Sequence, residues 1–123
     1  MDFGRRFVNY VDRGDPSPYD YTGASFTLDN QWHDLDISSI VPKGAKLVFF
    51  FVTVRATDAA KYFYLRKKGN VNTYNVGKLS TQVANVSFNY TMTVTPDANA
   101  VIQYKAATAT WLSLNVTIRG WLI

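Results

Sequence analysis

The sequence predicts an all-β fold: an antiparallel two-sheet β-sandwich of jelly-roll type over residues 23–123, behind a short extended N-terminal arm over residues 1–22. Three observations carry this expectation. All nine acidic residues are aspartate, glutamate is absent, and valine and threonine number 13 and 12, so strong helix formers are scarce and strand formers abundant. The 123 residues are 47% hydrophobic and 18% charged, which suits one packed core and is far from a disordered composition. Beyond Gly23, short alternating runs recur between turn residues, enough for seven or eight strands.

In the first 22 residues Arg5, Arg6, Asp12, Arg13, Asp15 and Asp20 are mixed with Phe3, Phe7, Tyr10, Tyr19 and Tyr21 without sustained alternation. Asp15-Pro16-Ser17-Pro18 fixes two φ angles and extends the residue before each proline, so this stretch reads as a stiff spacer. Ala24–Leu28 is expected as a strand, Asp29-Asn30 as a turn, and Gln31–Ile37 as a second strand with His33, Leu35 and Ile37 opposite Trp32, Asp34 and Asp36. Val41-Pro42-Lys43-Gly44 is a turn with proline in second position. Lys46–Ala56 is the central strand. Leu47, Phe49 and Phe51 face one way, Val48, Phe50, Val52 and Val54 the other, and both faces call for cover.

Ala60–Lys67 alternates Tyr62, Tyr64 and Arg66 against Phe63 and Leu65, and Lys68-Gly69-Asn70 turns the chain. The asparagine-rich Val71–Lys78 reads as a short edge strand or loop. Val83–Thr95 sets Val86, Phe88, Tyr90, Met92 and Val94 against polar residues, so one of its faces is wet. Ala100–Lys105 follows a Thr95-Pro96-Asp97-Ala98 turn. Thr110–Arg119 closes the body with Leu112, Leu114, Val116 and Ile118 inward, and Gly120 is placed to form a bulge that tucks Trp121-Leu122-Ile123 against it.

Several chemistries are excluded at this level. No cysteine means no disulfide, thiolate nucleophile or cysteine-ligated metal, and the single histidine, His33, cannot build a His-rich metal site. No cofactor, no metal and no enzymatic activity are expected. The longest apolar run, Leu47–Val52, is six residues, far short of the ~20 that cross a bilayer. Met1–Arg6 is not followed by the apolar stretch of a secretory signal, so retention in a cytosol until release is the expectation.

Trp32-His33-Asp34-Leu35-Asp36 is the cluster closest to catalysis, but the two carboxylates share a face from which His33 points away, and nothing supplies the shielding of a glycosidase pair. Arg13-Gly14-Asp15 spells an adhesion tripeptide and reads instead as a turn with Gly14 supplying the free φ and Asp15 capping it. The glycosylation triplets at Asn85, Asn89 and Asn115 fall in expected strands. Arg66-Lys67-Lys68 with a net charge of +4 raises single-strand binding through Tyr62 and Tyr64, but a charged strand end that guards a sheet is favoured, and no nucleic-acid or membrane partner is expected. Trp32 and Trp111 are alternative sugar-stacking residues. An open Leu47, Phe49 and Phe51 row would aggregate, so a loop, the arm or another subunit must lie over it, and a subunit interface is the reading adopted.

Six stretches carry a resemblance: Arg13-Gly14-Asp15-Pro16, Tyr19-Asp20, Trp32–Lys46, Phe63–Asn70, Gln103-Tyr104-Lys105 and Val116–Trp121. Together they are similar to virion proteins of tailed bacteriophages and prophages over most of residues 13–121. The resemblance implies a small, trimeric, tumour-necrosis-factor-like jelly roll that decorates a capsid or forms the knob of a fibre or tail. Capsid decoration is the first expectation, because only a short arm and no shaft precedes the body. On that reading Phe3, Arg5, Arg6, Phe7 and Tyr10 dock onto the major capsid protein or another virion protein at the particle surface. The alternative is a carbohydrate- or receptor-binding knob that takes a host glycan.

Overall fold

Period-two alternation decides which side chains meet across this molecule. A computed structural model describes residues 9–123 and contains eight strands. They are β1 (Tyr10–Asp12), β2 (Trp32–Asp36), β3 (Leu47–Ala56), β4 (Lys61–Lys67), β5 (Gly77–Thr81), β6 (Phe88–Val94), β7 (Val101–Ala106) and β8 (Trp111–Leu122). One sheet, here sheet A, has the order β1-β8-β3-β6, and the other, sheet B, the order β2-β7-β4-β5. All pairs are antiparallel, and β1 with β8, β2 with β7, β3 with β6 and β4 with β5 form the four ribbons of a jelly roll. The expected all-β sandwich is the fold.

The core lies between the two inner faces. Val48, Phe50, Val52 and Val54 of β3 and Leu114, Val116 and Ile118 of β8 meet Phe63, Leu65, Ile102, Tyr104 and Leu35 of sheet B. Thr81, a fully buried polar residue, donates to Asp58 O at 2.9 Å and accepts from Lys61 N at 3.1 Å, so its burial leaves its hydroxyl paired.

Several local expectations are corrected. Ala24–Leu28 is not a strand. Gly23–Ser25 forms a 3-10 turn, and Phe26 is delivered into the core as a plug, its ring centroid 4.7 Å from Tyr104 and 5.3 Å from Phe63. The Thr27 amide donates to the Tyr104 hydroxyl at 2.8 Å, so a side chain takes the place of a ladder partner. Val71–Lys78, expected as a short edge strand or loop, is loop with a 3-10 turn at Thr73–Asn75 until β5 begins at Gly77. Residues 82–87 precede β6 as a loop in which Asn85 has φ 60°, so its glycosylation triplet is not in a strand. Leu112 is 48% exposed rather than inward, because the pairing of β3 with β8 steps from Arg55↔Ser113 to Ala56↔Trp111 and leaves Leu112 as the extra residue of a bulge.

The expected bulge near Gly120 is present: Phe49 pairs with Gly120 and Phe50 with Ile118. Gly120 has a second requirement. A Cβ there would collide with the Tyr10 hydroxyl and the Val11 carbonyl, so glycine is what lets β1 lie this close. The turn before β3 is a type II turn shifted by one residue. Ala45 N donates to Pro42 O at 3.2 Å, and Gly44 takes φ 90° at the position that needs it.

From residue 9 onward the expected arm is sheet edge rather than free spacer. Tyr10, Val11 and Asp12 pair with Leu122, Trp121 and Gly120. Asp20 N and Tyr21 N both donate to Val116 O at 3.1 Å. Between them, Arg13 and Asp20 close the loop with an ion pair, Arg13 Nη2 donating to Asp20 Oδ1 at 2.7 Å. The cause is the edge of β8: once β1 ends, its next backbone groups need partners, and residues 13–21 supply them.

Candidate functional site

Each sheet has an outer face, and the two differ in chemistry. On sheet A, Leu47, Phe49 and Phe51 form the outer row of β3 and are half-buried. The strand register sets Phe49 beside Thr93 and Phe51 between Thr91 and Thr117, so the phenylalanines stand in a threonine-rich surface. Partial cover comes from within the chain: the Tyr10 ring meets Phe49 edge-on at 5.5 Å, and the Arg119 guanidinium carbon lies 5.4 Å from the Phe51 centroid. Next to them, Tyr10, Asp12, Asp15, Pro16, Phe51 and Arg119 are among the residues that line an open cleft of about 460 Å³. Of the five residues expected to dock, Phe3, Arg5, Arg6 and Phe7 lie outside the described residues, and Tyr10 is the 52% exposed member on this face.

Sheet B presents Trp32, Asp34 and Asp36 from β2, Gln103 and Lys105 from β7, Tyr62, Tyr64 and Arg66 from β4, and Lys78 from β5. Trp32 and Tyr64 are 5.9 Å apart between centroids, and Tyr62 and Tyr64 are stacked at 6.0 Å. Cations lie between the rings. The Arg66 guanidinium carbon is 3.8 Å from the Trp32 centroid, Lys105 Nζ is 5.2 Å from Tyr64, and Lys78 Nζ is 4.5 Å from Tyr62. Gln103 is the polar hub, accepting from Arg66 Nε and donating to Asp34 Oδ1, both at 2.9 Å. Lys68 Nζ donates to Asp34 Oδ2 at 2.7 Å. That bond first, and the Gln103 amide second, hold the Asp34 carboxyl below its ordinary range, and Asp34 in turn raises the Lys68 ammonium.

The cluster closest to catalysis separates as its alternation requires. Asp34 and Asp36 are on the outer face, whereas His33 lies on the Leu35 side at the rim of the core, 5.6 Å from Tyr104. Its Nε2 is 2.9 Å from both oxygens of Asp29, and this hydrogen bond is the main cause that keeps the Asp29 carboxyl low. Among the described residues no three His, Asp or Glu side chains converge as a metal site, and no helix is long and apolar enough to cross a membrane.

Trp111 does not share a surface with Trp32. It stands at the start of β8 in sheet A, packed against the core, and its indole N–H donates to Ala107 O at 3.0 Å. In the Arg13-Gly14-Asp15 turn, Gly14 has φ 91°, but the cap is Asp12, whose Oδ1 accepts from Gly14 N at 2.9 Å, and Arg13 is committed to Asp20. The alternation of β4 marks Tyr62, Tyr64 and Arg66, while Lys78, Gln103 and Lys105 join them only through the register of β4 with β5 and β7. Comparison of the chain with family models, curated proteins and solved structures returns no match.

Proposed function

We propose that this chain is a non-enzymatic structural protein of a tailed-bacteriophage virion, a homotrimer that decorates the capsid and contacts the major capsid protein. The observation that carries the reading is the outer row Leu47, Phe49 and Phe51, large apolar side chains that one chain leaves half-buried on a jelly-roll face. The threonines beside them favour a flat contact in which a second copy completes the cover that Tyr10 and Arg119 begin. The sequence resemblance to phage virion proteins supplies the biological setting, and the N-terminal residues supply the contact with the particle.

Light scattering of the purified chain tests the assembly. The expected mass is three times the 13.9 kDa of the monomer, and Phe49→Asp is expected to give monomers or insoluble protein, since it places a charge in a desolvated contact. A monodisperse wild-type monomer at micromolar concentration refutes the trimer. Mass spectrometry and antibody labelling of purified virions test the location, and absence of the chain from the particle refutes it.

A further inference from the structure

We propose that the outer face of the β2-β7-β4-β5 sheet binds an anionic saccharide, with Trp32, Tyr62 and Tyr64 against sugar rings and Arg66, Lys78 and Lys105 on its carboxylates. The first support is the placement of the charge. Cations that only guard a sheet against pairing belong on its edge strands, yet Arg66 and Lys105 stand on β4 and β7, the two central strands. Among the described residues, Arg66, Lys78 and Lys105 have no carboxylate within ion-pair distance, while Lys68 on the same side is paired with Asp34. Among the described residues three cations therefore share one face with no carboxylate paired to them, which is complementary to an anionic partner.

The second support is how the cations are held. Each lies near an aromatic ring, which limits the freedom of its long side chain before any ligand arrives. Trp32 and Tyr64 lie 5.9 Å apart across the sheet, and Tyr64 and Tyr62 lie 6.0 Å apart along β4, so a saccharide that crosses from β2 to β4 and turns along that strand meets the three rings with a cation beside each. Two polar groups distinguish a saccharide from a phosphodiester strand. Beyond the bonds they make to Lys68, Arg66 and each other, Asp34 keeps acceptor capacity and Gln103 a second amide N–H, and these suit the hydroxyl groups that line a saccharide and that a deoxyribose phosphodiester strand lacks.

The test is calorimetric titration of the full chain with four probes: oligogalacturonate, α2,8-linked oligosialic acid, methyl-esterified oligogalacturonate as the uncharged counterpart, and a twelve-nucleotide oligothymidylate. The expected result is saturable binding of at least one carboxylated probe, with the methyl ester about tenfold weaker or worse. Tyr64→Ala and Lys105→Gln should each weaken binding about three- to tenfold, the size of one aromatic or cation contact. Lys78→Gln, at an exposed position, gives the same readout without threatening the fold, and Tyr74→Ala, 99% exposed on the loop before β5, should change nothing. Binding of neither carboxylated probe overturns the proposal, as does equal binding of the methyl ester. Tighter binding of oligothymidylate makes the face a nucleic-acid surface instead, and binding indifferent to the Tyr64, Lys105 and Lys78 variants places the saccharide elsewhere; either result overturns it.

Discussion

Replacing Asp20 with alanine should cost this protein about 3 kcal/mol, because one carboxylate holds three things together. It is 7% exposed, it receives the Arg13 guanidinium on both oxygens, and its Oδ2 accepts from the Ile118 amide at 2.7 Å. Arg13 also donates to Ile118 O at 3.1 Å, so arginine, aspartate and the β8 backbone form a closed network beyond the last β1 pair at Gly120. Removal leaves the Ile118 N–H without its acceptor, about 1–3 kcal/mol, and strips a charged partner from Arg13. Breaking a fully buried pair costs about 3–5 kcal/mol, but Arg13 is 21% exposed and water recovers part of that, which brings the total to about 3. For a chain of 123 residues the unfolding entropy is about 0.26 kcal/mol/K, so Tm should fall by about 12 °C. Scanning calorimetry at fixed protein concentration should show this, with Asp20→Asn intermediate because its amide oxygen still accepts one bond. Arg13→Ala combined with Asp20→Ala should cost clearly less than the two single losses together. A Tm within about 2 °C of wild type, or an additive double variant, would refute the claim that residues 13–20 are pinned to β8.

Gly120→Ala should lower stability by about 1–3 kcal/mol and detach β1, because the added Cβ meets the Val11 carbonyl, which is backbone and cannot rotate aside. Hydrogen exchange reads it: Val11 and Trp121 amides should lose protection while Val52 keeps its own, and unchanged protection along β1 refutes the steric reading. Burial, then the Asp20 and Asp36 carboxylates, raise the Tyr21 phenol above its ordinary 10.0 in the folded state. A raised folded value means a contribution present in full below pH 10 and lost as pH climbs through that value, so denaturant midpoints should fall between pH 9 and 11 by less in Tyr21→Phe than in wild type. Equal falls would remove Tyr21 as the cause.

The strand series was legible in the sequence wherever one side chain type repeated at period two and met a partner of the same kind. Leu47–Ala56, Lys61–Lys67 and Phe88–Val94 lie within their expected limits because inward and outward residues differ sharply in character. Reading failed where backbone groups found partners other than a ladder. Ala24–Leu28 alternates well enough for a strand, yet the Tyr104 hydroxyl, 77 residues away, takes the Thr27 amide and the chain turns. Leu112 belongs to an apolar run and is ejected by a bulge that only the β3 register reveals. Likewise, the composition of residues 10–21 gives no sign that β8 outlasts β1 and needs them as its edge.

The candidate surfaces were legible to different degrees for the same reason. Leu47, Phe49 and Phe51 lie on one strand, so alternation alone sets them on one face. The sheet B face draws on four strands, and its cations meet its rings across register: Tyr64 is flanked by Lys105 on one side and Lys78 on the other. Trp32 reaches Arg66 over β7, a contact between residues 34 apart in sequence. The sandwich then keeps the two surfaces apart, since stacked sheets stand about 10 Å from each other and their outer faces point in opposite directions. A contact that buries Phe49 and Phe51 therefore leaves Trp32, Tyr62 and Tyr64 open. Charge follows the same division: the apolar row of sheet A carries Arg119 over Phe51 at its margin, whereas sheet B concentrates Arg66, Lys78 and Lys105 among its rings. Desolvating three cations that no carboxylate among the described residues pairs is costly in a subunit contact, and facing them to solvent or to an anion is not. That asymmetry is the physical reason for proposing self-association through one face and ligand recognition through the other.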